Sequence, residues 1–215
     1  MTGEQPALPE QNELYRGLER LPAALWQDLG ALDPGPVRHK AGVAFDRDRG
    51  YIVPFLGTDH LVRPWERTIT VRPGGPRPGF QSGLVVLKYL LHASDEGLAG
   101  RMVTARELPG GDLFFTGPHA LSTSPVEETF SRNAAGLLAA AQLLDAAPLA
   151  AGDAAFRLLA LPKILVNYTF YQADDEFPAR LTITFDAAAH RHLPLDCLWA
   201  LINVLSHRLA ESGRK

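Results

Sequence analysis

The stretch AAFRLLALPKILVNYTFYQADDEFPARLTITF, residues 154–185, decides the fold class. It reads as three strands in succession, Ala154–Leu161, Ile164–Tyr171 and Leu181–Phe185. Each run is rich in β-branched and aromatic residues, which suit a pleated, half-buried surface. Strands that arrive in clusters pair as antiparallel neighbours, whereas a doubly wound parallel sheet alternates strand with helix. A second cluster lies upstream: Val43–Phe45, Tyr51–Phe55, His60–Arg63 and Arg67–Val71 are short runs parted by the turns Asp46–Gly50 and Gly57–Asp59. They read as a small antiparallel meander, in which Pro54 and Pro64 restrict which strands can be central. The expected class is therefore α+β, one domain with a mainly antiparallel sheet packed by about five helices.

Helices fill the intervals. Leu14, Leu18, Leu21, Leu25 and Leu29 recur at helical steps, and Pro22 fits the first turn of a second helix within that stripe. Asp33-Pro34 repeats a cap-then-proline signal, and Gly42 can close the helix it opens. Phe80, Leu84, Leu87 and Leu91 define a helix with a wide apolar face. Met102–Thr104 and Leu113–Phe115 read as strands around a Leu108–Gly111 turn. Ser124 is expected to cap a helix, with Pro125 at its first position and Glu127 completing a capping box. Val126, Phe130, Ala134, Leu137, Ala141 and Leu144 would line one face of that single helix until Pro148 ends it. A last helix opens near Pro194 and carries Leu198, Leu201, Ile202, Leu205 and Leu209 on one face. Residues 1–10 read as a disordered start, and residues 11–215 as one domain. The proline- and glycine-rich loop 72–79 is the one candidate boundary.

Composition removes several function classes. The chain has 215 residues, 46% hydrophobic and 21% charged, with a net charge of −3, so it lacks the basic excess of a nucleic-acid module. Its single cysteine, Cys197, excludes an internal disulfide and a cysteine-held iron–sulfur cluster within one chain. No apolar run reaches the roughly 18 residues that span a bilayer. Met1–Glu10 has neither the basic nor the apolar region of a signal peptide, so the expected address is the cytoplasm.

Recognisable catalytic motifs are absent: no P-loop, no dinucleotide GxGxxG, no GxSxG elbow and no HExxH. Four local features carry what chemistry there is. In Arg106-Glu-Leu-Pro-Gly-Gly111, Arg106 could hold a carboxylate or phosphate, and Gly110 and Gly111 let backbone approach a neighbour; the alternative is an Arg106–Glu107 ion pair beside a turn. Asp174, Asp175 and Glu176 stand together, flanked by Tyr168, Phe170, Tyr171 and Phe177. This is either a solvated hairpin or the rim of an aromatic-walled pocket. Asp186, His190 and His192 could bind a metal if the segment is extended, since residues two apart then face one side. Cys197, in the first turn of the last helix, would have its thiol pKa lowered by the dipole unless it is simply a small buried residue.

Several segments together resemble a domain-of-unknown-function family: Tyr51–Gly57, Tyr89–Ala93, Arg106–Gly111, Asp175–Pro178, Phe185-Asp186 and Leu193-Pro194. The resemblance covers roughly residues 13–205 and implies a family associated with anaerobic bacteria and archaea. Some relatives in that family are joined to a cysteine-rich iron–sulfur domain of the type found in corrinoid proteins. It implies no catalytic residues here.

The expected function is a cytoplasmic, non-catalytic binding or accessory protein. It would hold a small molecule, including a tetrapyrrole-like cofactor, or a redox protein partner, with no nucleic-acid or membrane partner. The expected ligand-binding residues are Arg106, Glu107, Gly110, Gly111, Tyr171, Asp175, Glu176 and Phe177. The alternative is a metal-assisted hydrolase or transferase with Asp186, His190 and His192 as ligands and Glu176 as general base.

Overall fold

The computed structural model describes residues 17–72 and 74–214. The disordered start expected over residues 1–10, and Leu14 of the first stripe, lie outside the described residues. A one-turn 3-10 helix, Leu18–Arg20, leads into α1 (Ala23–Ala31), with Pro22 as its N-cap. In α2 (Pro34–Ala41) Asp33 accepts a hydrogen bond from the Gly35 backbone N–H, and Gly42 closes the helix in the left-handed region.

Strands β1 (Ala44–Asp46), β2 (Gly50–Phe55), β3 (Thr58–Arg63) and β4 (Thr68–Val71) then form the expected meander, in sequence order and antiparallel. Pro54 is tolerated in β2 although β2 is an inner strand. The neighbouring β1 pairs only as far as Ile52, so no partner there requires the missing proline N–H.

After α3 (Phe80–His92), β5 (Met102–Thr104) joins a second antiparallel sheet built mainly from the C-terminal cluster. Its order is β5-β9-β8-β7-β6, with β6 at Ala147–Leu149, β7 at Ala154–Leu161, β8 at Ile164–Tyr171 and β9 at Arg180–Asp186. β6 is a short edge strand that accepts Pro148 at its centre, where the sequence suggests only a helix end. A single apolar cluster runs from Leu18 to Leu209 through both sheets and their helices. At its centre lies α7 (Leu195–Gly213), which packs against α3, α5 and α6 and buries residues on nearly all sides.

Two expectations are corrected. Leu113–Phe115 is not a strand: Gly111–Phe114 is a helical turn, α4, in which the Phe114 N–H donates to the Gly110 carbonyl at 3.1 Å. Gly110 at φ 77° turns the chain into that coil. The helix expected over residues 124–144 is two helices, α5 (Ser124–Phe130) and α6 (Ala134–Gln142). Thr123, not Ser124, is the N-cap residue of α5. Asn133 restarts the chain by accepting the Gly136 N–H at 2.9 Å. Glu127 forms no reciprocal box with Ser124; it accepts from the Thr123 hydroxyl and from the Leu181 N–H at the start of β9.

Candidate functional site

Asp186 is the last residue of β9 and lies on the same sheet face as Thr182 and Thr184, because side chains alternate along a strand. Those threonines are half-buried, whereas Asp186 is fully buried. Its carboxylate accepts the Ala99 and Gly100 N–H groups at 2.8 Å each and the Ala188 N–H at 2.9 Å. The Ala187 N–H donates to the Arg101 carbonyl at 2.8 Å. One buried acid thus stitches the segment before β5 to the reversal after β9. Charge-assisted bonds of this kind are shorter and stronger than neutral ones.

Between these two segments and the turn after β5 lies a groove of about 640 Å³. Glu96, Leu98 and Arg101 form one wall, Val103, Glu107 and Pro109 a second, and Ala187, Ala188, His190 and Arg191 a third. Arg191 forms an ion pair with Glu96 at the rim. Its hydrogen bond to the carboxylate holds the Glu96 carboxyl below the usual range. Glu107 accepts the Thr104 hydroxyl at 2.7 Å and the Thr104 N–H at 2.8 Å. These bonds, with Arg101 nearby, lower its pKa too. Both acids therefore remain charged down to acidic pH.

The turn Ala189–Arg191 is a 3-10 helix, not an extended segment, so the two histidines do not share a side. His190 borders the groove; its Nδ1 lies 3.0 Å from the Ala187 carbonyl, a bond that leaves Nε2 for a ligand. His192 points inward and is fully buried. Asp186 has both oxygens committed to backbone. Among the described residues, no three His, Cys, Asp or Glu side chains are grouped as a metal site.

The structure divides the expected ligand-binding set. Glu107 lines the groove, with Pro109 of the same segment. Glu107 binds Thr104, which replaces the expected ion pair with the exposed Arg106. Gly110 and Gly111 shape the turn: a Cβ on Gly111 would lie 2.0 Å from the Ala105 carbonyl oxygen. Tyr171, Asp175, Glu176 and Phe177 are exposed and contribute nothing to this groove. Asp174 closes its own turn by accepting the Glu176 and Phe177 N–H groups. The cation beside that turn is Arg132, 3.3 Å from Asp175, rather than Arg106. The aromatic wall separates by strand alternation: Tyr168 and Phe170 enter the core, while Tyr171 faces outward beneath the Arg180 guanidinium. Cys197 is buried, which pushes its thiol up to about 12 and overrides the helix N-terminus expected to lower it.

Glu96, Arg101 and Arg191 are groove residues that motif reading missed. Arg191 stood within the His190–His192 segment, but nothing local in the sequence marked the other two.

Residues 33–208 match the family described as Domain of unknown function (DUF3786). The chain belongs to this family. The matched span contains both sheets and every wall of the groove. No curated protein and no solved structure matches the chain.

Proposed function

We propose that this member of the DUF3786 family is a small-molecule binding protein and that the groove beside Asp186 is its ligand site. The observation that carries the reading is the size and chemistry of that groove. Its volume, about 640 Å³, falls within the usual range for organic ligands. Leu98, Val103, Ala187 and Ala188 supply apolar surface, and Arg101, His190 and Arg191 supply donors. This set suits a molecule with an apolar face and a carboxylate at its margin: Glu96 is met by Arg191 and Glu107 by Thr104, so Arg101 would pair with the ligand carboxylate and His190 Nε2 would meet a second polar group. Tetrapyrroles carry apolar faces and peripheral carboxylates, and the resemblance to corrinoid-associated relatives makes them the first class to try. The Asp186 stitch supports a preformed site, because both lining segments hang from one buried carboxylate. An accessory role, handing the ligand to a redox partner, is compatible with this reading.

The test is a spectrophotometric titration with coproporphyrin, a carboxylate-bearing tetrapyrrole. Saturable binding is expected at one ligand per chain, weakened about tenfold or more by Arg101→Ala. Binding unchanged in Arg101→Ala, or no saturable binding, overturns the assignment.

A further inference from the structure

A separate cleft opens on the other side of the 94–97 segment, between α2 and the end of α3. Its volume is about 470 Å³; Pro36, Val37, Leu90 and Leu91 give it apolar walls, Lys40 a cation, and Ser94 a hydroxyl. Ser94 is half-buried, and its Oγ lies 3.3 Å from His192 Nδ1. The Ser94 backbone N–H also donates to Nδ1, at 3.3 Å, so Nδ1 carries the lone pair and Nε2 the proton. Nε2 is buried near the Gly97 backbone, without a well-formed hydrogen bond among the described residues. Lys163 donates to the Ser94 carbonyl at 2.7 Å, which fixes the serine backbone against the ring.

We propose that Ser94 is an activated nucleophile, with His192 as its general base, for acyl transfer from a largely apolar ester bound in this cleft. Burial, with Lys163 nearby, holds His192 below its ordinary pKa, so the ring is unprotonated at neutral pH and can accept a proton. Glu96 and Asp186 lie close enough to favour the imidazolium once it forms. In the reaction, the Oγ–H takes the single Nδ1 lone pair from the long Ser94 N–H bond, and Oγ attacks the ester carbonyl carbon while its proton passes to Nδ1. The bond to the leaving oxygen breaks, and Nδ1 returns the proton to the departing alcohol. Water then attacks the acyl-serine, again giving its proton to Nδ1, which passes it to Ser94 Oγ as the acid is released. Apart from the ester and water, no co-reactant is consumed. A purely structural role would need only the Ser94 N–H on Nδ1; the hydroxyl on the same lone pair, at the edge of a cleft, is the feature that points to chemistry. The groove reading rests on Arg101 and His190 and this one on Ser94 and His192, so each can fail alone.

The full-length protein is treated with a fluorophosphonate probe, and the modified residue is mapped by mass spectrometry. The label is expected on Ser94 and is expected to disappear in Ser94→Ala; a label elsewhere, or none, overturns the proposal. Activation by His192 is read separately, from the pH profile of the labelling rate. The rate at Ser94 should fall as pH drops, with its midpoint below 6.5, and the profile should be unchanged in His92→Gln, which removes the histidine that also lines the cleft. A rate independent of pH, or a profile abolished by His92→Gln, overturns the assigned base, and folding across the range is checked by circular dichroism.

Discussion

His60 is fully buried in β3, with its Nδ1 2.9 Å from the Thr58 carbonyl and its ring edge-on to Phe55 at 5.2 Å. Its Nε2 has no partner among the described residues, so protonation would place a charge where none of them receives it. Burial, aided by the positive charge of Arg208, lowers its pKa to about 4; the Thr58 carbonyl and Asp59 oppose the shift only in part. In the unfolded chain the ring titrates near its ordinary value of 6.5. Between those two values the unfolded state binds a proton that the folded state refuses, so stability falls as pH falls through that window. At 1.36 kcal/mol per unit, His60 alone should remove about 2 kcal/mol between pH 7 and pH 5. Urea unfolding at the two pH values measures this. His60→Leu should shrink the loss by that amount, and an unchanged difference would show that the residue is not responsible. The lowered pKa of His192 acts in the same direction and keeps a residual slope in the variant.

The break between α5 and α6 shows how one side chain sets an element boundary. The alanine-rich run 134–142 has high helix propensity and would continue an upstream helix. Asn133 instead takes φ −135° and receives the Gly136 N–H, satisfying one of the donors exposed at a helix start. Asn133→Ala should therefore destabilise the protein by about 1 kcal/mol. Ser124 lies inside the first turn of α5 and is not its capping residue, so Ser124→Ala should stay within about 0.5 kcal/mol of wild type. Denaturant midpoints compare the two, and a cost at Ser124 equal to that at Asn133 would contradict this boundary.

At the scale of the whole molecule, the two sheets meet at the β2–β3 turn. The Leu56 N–H donates to the Ala160 carbonyl of β7 at 3.1 Å, and Leu56 is buried. Gly57 follows at φ 71°, where a Cβ would lie 2.9 Å from the Leu144 carbonyl carbon. Gly74 has the same φ, with no atom of the described residues, its chain neighbours aside, within 4 Å. Gly74→Ala should cost about 1 kcal/mol, from the left-handed backbone alone. Gly57→Ala adds overpacking against main chain and should cost about 2–4 kcal/mol in total. Urea denaturation of both variants isolates the difference as packing of this turn against the chain between α6 and β6. Equal costs would mean that the joint yields freely.

The sequence by itself determined the class and most of the elements. Strands 154–171 and 181–185 carry their own β-branched and aromatic signature, the Asp33–Gly42 helix carries its caps, and the lone Cys197 bounds the redox chemistry. These are local properties, set within one turn or one strand. The break at Asn133 was written in a capping residue, but the apolar stripe running across it masked the signal. The tertiary structure alone decided the site. Ala99 and Gly100 reach Asp186 across more than eighty residues, and Glu96 reaches Arg191 across ninety-five. Arg106 and the 174–176 acids belong to turns on the same sheet, yet Asp175 pairs with Arg132, in the turn after α5. Pairings of this kind depend on which strands lie side by side and which loop covers a sheet face. Burial then fixes the protonation of the groups enclosed, and neither can be read from spacing along the chain.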